Sequence, residues 1–427
     1  MVQSGIFYLF SGILFINMSR KKNIRIATFF IVLYAAVLSF AHQPLLTDDL
    51  TREYANLDAI REYGWAYFNQ AKGGLYNSSL LGTTIYSSKF QGLYVTQLMY
   101  YLFSKLPIYN FMPAFVVALQ YYLEFNLLRK IDKKFHFTHR ELVFLFSFFF
   151  MTRELRWMMS GIRNQLAFTI AVYILYGNLV ERKSSIKAII GLVLCGMIHQ
   201  SAYVFLAFKL ILYIRNEKIK IIISFIMMLW SYMLDFIMKF FQRFINNSVL
   251  NSLLWKLTIY TQNESGDNVN VTMRPYYLKM VISDIGLIIF ALITLYIFFK
   301  ENNRKFNYIK KSYSKKKPFV VRIRRNKQFD TSDVLPYDYA LLMLLSVSLT
   351  IGSTMYYWLY LRFAMIIQIG LFIVCGKVLY DYRKSNKIRM RNAYMCCGYL
   401  AVLVKFLIML FVANGSFYFD IFGFYPR

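Results

Sequence analysis

The chain has 427 residues, 58% hydrophobic and 19% aromatic, with 50 Lys and Arg against 21 Asp and Glu. Its mean hydropathy is +0.42, and a soluble domain holds about 45–50% apolar residues. Because the excess runs the whole length, it excludes a soluble enzyme with a membrane tail and a disordered chain, and leaves one polytopic membrane domain over 1–427.

The net charge of +29 suits a nucleic-acid binder, but its placement does not. Thirty-two of the fifty basic residues fall in six short segments between apolar runs: 20–25, 129–140, 181–187, 215–220, 300–336 and 380–391. Basic residues gathered beside spans mark the cytoplasmic side. Their expected partner is anionic lipid of the inner leaflet, not nucleic acid. Cys195, Cys375, Cys396 and Cys397 all lie in apolar runs without metal-ligand spacing. Neither disulfides nor zinc is expected, and no cofactor is called for.

In chain order, apolar runs occupy about 4–18, 26–43, 90–106, 108–128, 141–152, 158–180, 187–214, 219–237, 276–299, 337–358, 362–379 and 393–413. The stretch from Met1 to Met18 lacks a basic leader and a small-residue cleavage site, and reads as a first span. With 20–25 inside, 26–43 exits the membrane. The 44–89 stretch is then an outer loop, its four basic residues balanced by five acidic ones. Segment 129–140 must be inside again, yet two apolar runs precede it, split by Pro107. Only one can cross, so 90–106 reads as a short re-entrant or interfacial helix on the outer side. Broken helices at membrane depth survive only against protein or a water-filled cavity. An outward-opening cavity lined by Arg163, His199 and Arg362 is therefore expected.

The run 187–214 poses the same conflict, because both of its flanks are basic. A hairpin of two short helices fits, with His199-Gln200-Ser201 at its apex. Thirteen helical residues rise about 20 Å, which sets the apex inside the membrane near its outer half. One long tilted helix is the alternative. The remaining parity gives about ten full transmembrane helices, both termini outside, and a basic 300–336 loop inside. No internal repeat of fixed period is present.

Four places carry candidate chemistry. Arg153, Arg156, Ser160 and Arg163 follow helical spacing and can form one stripe at an outer membrane boundary. A row of guanidinium groups there suits a multiply negative ligand such as a diphosphate; the alternative is snorkelling to headgroups. His199 is either a structural donor or a catalytic group. Asp48 and Asp49 open an amphipathic surface helix whose face is Tyr54, Leu57, Ile60, Gly64 and Tyr67. These acids either serve as a general base or simply favour the helix start. Arg362, among Tyr356, Tyr357, Trp358 and Tyr360, fits an interfacial belt or a sugar platform with a phosphate clamp. Asp284, a few residues into its span, is a weaker candidate as an arginine partner.

Two of these segments together resemble a known family. Ser160-Gly-Ile-Arg163-Asn-Gln165-Leu-Ala167, then Cys195-Gly-Met-Ile-His199-Gln-Ser201, is similar to the central signature of the EpsG-like branch of Wzy-type polysaccharide polymerases. The usual form is n-x-R-Q-x-x-A, about 30 residues, then f-H-x-S. Asn164 departs from it by separating Arg163 from Gln165. Asp48 and Asp49 with Tyr54, Gly92-Leu93-Tyr94 and Arg362 look similar as well.

The resemblance implies an all-α, metal-independent fold like that of the membrane glycosyltransferases of the GT-C class. It implies a bacterial cytoplasmic (inner) membrane protein that polymerises O-antigen or capsule repeat units at the outer face. The donor is a glycan on undecaprenyl diphosphate, and a chain-length regulator is a further partner it leaves open. Arg163, Arg153, Arg156, Arg362, Gln165 and Tyr54 would bind the diphosphate and glycan. His199, Asp49 or Asp48 would act as base. The alternatives are a flippase for the same lipid-linked oligosaccharide and an O-antigen ligase. A flippase would also want a basic cavity, but transporters usually carry repeats.

The charge pattern makes a direct test. A single cysteine at position 267 is expected to react with a membrane-impermeant maleimide in intact cells, and one at 315 only after lysis. Labelling at 315 in intact cells would overturn the topology.

Overall fold

The computed structural model describes residues 2–44, 49–69, 75–78, 83–86, 90, 92–230, 281–302, 336–354 and 356–409. Positions 267 and 315 lie outside the described residues. The chain opens with the antiparallel helices α1 (Val2–Arg20) and α2 (Ile24–Ala41). The stretch between α2 and the next long helices holds α3 (Asp49–Tyr63), α4 (Ala66–Asn69) and an antiparallel hairpin of β1 (Leu75–Ser78) and β2 (Thr83–Tyr86), with Leu75 opposite Tyr86. Then come α5 (Tyr94–Ser104), α6 (Phe111–Phe135), α7 (His139–Met151), α8 (Leu155–Ser160) and α9 (Ile162–Leu179). They are followed by α10 (Ser185–Ile198), a 3₁₀ turn (Gln200–Ala202), α11 (Tyr203–Leu212) and α12 (Glu217–Met228). The last four are α13 (Val281–Asn302), α14 (Tyr337–Gly352), α15 (Tyr357–Lys384) and α16 (Ile388–Leu407). Among the described residues, α2, α6, α13 and α15 are long and apolar enough to cross a membrane. The protein is therefore a helical membrane protein, and the small β-hairpin is its one described departure from an all-α fold.

The helix α15 is the axis. Its sequence is apolar on every side, as a helix at the centre of a bundle must be. Ile366, Ile369, Leu371, Phe372, Ile373 and Val374 are all buried. Helices α6, α7, α9, α14 and α16 pack around it. Phenylalanines of α7 bridge inward and outward: Phe149 meets Phe372 with ring centroids 5.1 Å apart, and Phe146 stacks on Phe15 of α1 at 4.1 Å. Contacts of this kind add about 0.5–1.5 kcal/mol each beyond their burial.

Five of the basic segments, 20–25, 129–140, 181–187, 215–220 and 380–391, gather at one end of the bundle, while 303–335 lies outside the described residues. Ser19, at the end of α1, lies 2.8 Å from His139 at the start of α7. Glu141 sits in a capping box with Thr138 and is fully buried. It pairs with Arg383 at 2.6 Å and Arg391 at 3.5 Å. Lys130 joins Glu181 at 3.1 Å, and Lys387 joins Glu301 at 2.9 Å. Lys220 reaches Asp338, in the first turn after the 300–336 loop, at 3.6 Å. Acids at this end work as hubs that let many cations approach one another.

Between α10 and α11 the chain doubles back, as the basic flanks require. Asn178, in the last turn of α9, donates to Ser185 at the start of α10 (3.2 Å) and accepts from Lys209 near the end of α11. Both ends of the pair therefore meet at one level, with His199 in extended backbone at the opposite apex. Tyr203 occupies the space where a side chain on Gly196 would stand. Helix α5 caps the apex: the Thr96 hydroxyl donates to the carbonyls of Met197 (3.2 Å) and Ile198 (2.6 Å). With 11 residues, α5 spans only about 16 Å, which agrees with its reading as a helix that does not cross. The Pro107 break after it is held by Arg61, which donates to Ser104 O (2.8 Å) and Leu106 O and stacks over Tyr109.

The helix α3 does not lie on the surface as an amphipathic strip. Leu50, Glu53, Tyr54, Asn56, Leu57 and Ile60 are all buried. Tyr54, Leu57 and Ile60 of the predicted face seat in a second small core formed with α5 and the first turns of α6 and α9, Tyr67 joins it from α4, and Gly64 lies past the end of α3. The helix ends where Gly64 takes φ +60°, its N–H bonded to Ile60 O at 2.9 Å. That left-handed stop is where glycine is favoured.

Glycines in the described helices differ sharply in what surrounds them. A methyl on Gly352 would meet the Met227 backbone carbonyl, whereas one on Gly12 would meet nothing within 4 Å. Gly352→Ala is expected to destabilise the protein by about 1–3 kcal/mol by forcing α12 from α14. Gly12→Ala should be neutral or mildly stabilising. Thermal unfolding in detergent compares the two; equal midpoints would refute the packing.

Candidate functional site

The end opposite the basic segments carries the candidate chemistry. Its first feature is Arg153, in the short link between α7 and α8, with a side chain 1% exposed. An unpaired cation there would be very costly. The guanidinium pairs with Glu124 of α6 and donates to Gln120 Oε1 (2.8 Å) and Gln165 Oε1 (2.6 Å). Glu124 in turn accepts from Thr169. The Tyr8 hydroxyl donates to the Arg153 carbonyl at 2.7 Å. Arg153 and Gln165 are thereby committed to each other and to the bundle interior.

Arg163 stands in the first turn of α9 on a different side. Its guanidinium donates to Glu53 Oε1 of α3 at 3.2 Å and lies 5.4 Å over the Phe90 ring. Its side chain is 17% exposed, enough to be reached. Asp49 is near enough to act on it electrostatically, although that acid also pairs with Arg52 at 3.6 Å at an exposed position. Asn56 extends the network, donating to Glu53 and accepting from Tyr67. Tyr54 is buried against Tyr109, ring centroids 5.3 Å apart, and burial pushes its phenol well up. Asp58, one turn on, has its carboxyl raised by partial burial against the opposing pull of Arg61.

The single arginine stripe is not realised. Thr152–Glu154 is not helical, and Gly161 interrupts the helix between Ser160 and Ile162. The two breaks turn Arg153 towards Glu124 and Arg163 towards Glu53. Arg156 falls in α8, with its side chain outside the described part. Asp48 lies outside the described residues.

The His199 turn meets the start of α9 directly. His199 Nδ1 is 2.6 Å from Ser201 Oγ, and the Ser201 hydroxyl donates to Asn164 Oδ1 at 2.8 Å. The Ser201 backbone N–H also faces Nδ1 at 3.3 Å, so a ring with Nδ1 bare accepts from that N–H, and a ring with Nδ1 protonated donates to the Ser201 hydroxyl and leaves Nε2 basic. Asn164 also contacts Met365 of α15. Arg362, half-buried, is one helical turn before Met365 on the same face. The inserted Asn164 thus links the two signature segments.

The described cavity at this end is not the expected one. It is lined by Arg153, Glu154, Gln165, Asp284, Gln368 and Lys405 among others, and Arg163, His199 and Arg362 are not in its wall. Its volume is about 30 Å³, room for one or two waters and too small for a diphosphate. Beside it Lys405 pairs with Asp284 at 2.8 Å, both nearly fully buried, and donates to Ser283 at 3.0 Å. Asp284 therefore has a lysine partner, not the arginine expected. No family model, curated protein or solved structure matches the chain.

Sequence reading missed Glu53, Glu124 and Lys405. Glu124 and Lys405 are each a lone charge within an apolar run, and that rarity was the available signal; Glu53 stands among the charges of 48–62 and carried no such signal. Their partners are the arginines and the aspartate that were singled out. Removing one member of a buried pair strands the other and costs about 3–5 kcal/mol. Arg153→Met is expected to lose stability on that scale. Arg153→Met combined with Glu124→Leu should recover most of it. Unfolding midpoints of the three proteins in detergent check this, and an unchanged midpoint for Arg153→Met would show that the pair is not made.

Proposed function

We propose that the chain is a membrane-embedded glycan polymerase of the Wzy type, working at the end of the bundle opposite its basic segments. On this reading that end is the outer face of a bacterial cytoplasmic membrane. Ten helices cross fully, while α10 and α11 form a re-entrant hairpin and α5 stays at the outer side. One observation carries the reading. The two halves of the sequence signature, 37 residues apart at Asn164 and Ser201, are joined by a 2.8 Å hydrogen bond beside Arg163.

The chemistry asks little of the protein beyond placed charge. An acceptor hydroxyl of one lipid-linked unit attacks the anomeric carbon of the donor glycan. The bond to the diphosphate oxygen breaks, and undecaprenyl diphosphate leaves with the electron pair. Arg163 stabilises that leaving group through paired N–H donors. To do so it must exchange Glu53 for the diphosphate, and a partly exposed arginine can make that exchange. His199, oriented by Ser201 and Asn164, receives the hydroxyl proton on Nε2; Asp49 is the alternative base. Arg153 supports the site from within and does not touch the substrate.

Losing one preorganised charge contact in a catalytic site typically costs about 10²–10³ in rate. Arg163→Ala should abolish long polymer while the protein accumulates normally, and Arg163→Lys should do so less completely. Gels of cell-surface glycan should then show single repeat units. Loss of those single units would point to the flippase reading instead. Normal polymer lengths at normal protein level would refute this assignment of Arg163.

A further inference from the structure

At the basic end, three helices leave an open pocket of about 500 Å³. Its walls are the last turns of α6 and α9 and the cytoplasmic third of α15. It holds Lys130, Lys133, Lys134 and His136 over a floor of Tyr176 and Tyr380. The proposed chemistry makes no use of it, since it faces the opposite end.

The pocket is built, and not merely charged. Lys130 is fixed by Glu181 at 3.1 Å and by the Tyr173 ring, 4.4 Å from its ammonium. Burial would raise the Glu181 carboxyl, but hydrogen bonds and charge from Lys183 and Lys130 outweigh it and hold it below its usual range. Glu181 thus remains an anion that positions Lys130. Around Tyr380, the charged groups of Lys377, Arg383 and Lys384 lie within 5.7 Å of the ring centroid. Lys133 is exposed and Lys134 half-buried at the rim. His136 is turned there by left-handed backbone, φ +49°. The lining carries three lysines against one carboxylate, Glu181, and the nearby Asp132 acts on His136 and Arg383, so positive charge remains in excess.

We propose that this pocket binds the phosphoryl headgroup of an anionic molecule, with Lys133 and Lys134 as its principal contacts. The volume falls within the range of ligand sites, about 300–1,000 Å³. Clustered lysines give a phosphate point charges to meet, and the tyrosines provide a floor with hydroxyls. The site stands at one end of membrane-spanning helices, where basic pockets meet lipid headgroups. A phospholipid headgroup and a free phosphate ester share this chemistry. The inference rests on the membrane embedding of the chain and not on glycan polymerisation.

The test uses the full-length protein in detergent, with retained lipid measured by native mass spectrometry. Dioleoyl phosphatidylglycerol and dioleoyl phosphatidylcholine are compared. The wild type should retain phosphatidylglycerol preferentially. Lys133→Gln with Lys134→Gln should weaken that retention about 25-fold, from the usual contribution of a lysine near anionic lipid. Arg215→Gln with Lys218→Gln removes the same charge from another basic segment and should leave retention within about twofold. Glycerol 3-phosphate is then titrated as a soluble competitor. Displacement of the lipid at equal concentration would assign the site to a soluble phosphate ester, and failure to displace would assign it to lipid. Equal losses in both double variants would reduce the effect to net charge and overturn the proposal. So would unaltered retention in the Lys133 and Lys134 variant with an unchanged unfolding midpoint.

Discussion

A guanidinium buried in an apolar bundle fixes everything around it, because it cannot be left without an anion. Among the described residues Arg153 is the largest fully buried side chain. Its needs draw together four parts of the chain: α6 through Glu124 and Gln120, α9 through Gln165, α1 through Tyr8, and its own link from α7 to α8. Apolar packing alone would let these helices slide or rotate at small cost, since lipid is as apolar as their side chains. The ion pair removes that freedom. It fixes the start of α9, and with it the direction in which Arg163 and Asn164 point.

The two ends of the bundle use charge in opposite ways. At the basic end, a few acids such as Glu141 and Glu181 are shared among many cations. Repulsion is relieved but not cancelled, and the surplus meets whatever anions the adjoining surface offers. At the far end, charges come as matched pairs: Arg153 with Glu124, Arg163 with Glu53, Lys405 with Asp284. Pairing there holds the fold together and stores cations at the sites where a charged ligand would arrive.

Much of this was legible in the sequence. Basic flanks on both sides of 187–214 demanded a turn, and the chain turns at His199. Charge parity allowed only one of the two runs flanking Pro107 to cross and made 90–106 a short helix, and α5 has 11 residues. Of the face predicted for α3, Tyr54, Leu57 and Ile60 are buried in the helix, while Gly64 and Tyr67 fall beyond its end. One cause of the illegible parts is dependence on partners distant in sequence. Glu53 is 110 residues from Arg163, and no local pattern states which arginine a buried acid will meet. Helical spacing from Arg153 to Arg163 also assumed an unbroken helix. Gly161 was visible, but a glycine alone does not say whether a helix bends or ends there. The β-hairpin between α4 and α5 was hidden because its strands are only four residues each.

The cap that Thr96 places on the end of α10 has a consequence for synthesis. Thr96 leaves the ribosome 102 residues before Ile198, the residue whose carbonyl it receives. At about 5–20 residues per second that is a wait of roughly 5–20 s. Until then the face of α5 that carries Thr96 has no α10 to meet, although α6 to α9 have already been made. The turn that carries His199 is therefore completed late, by a partner made early.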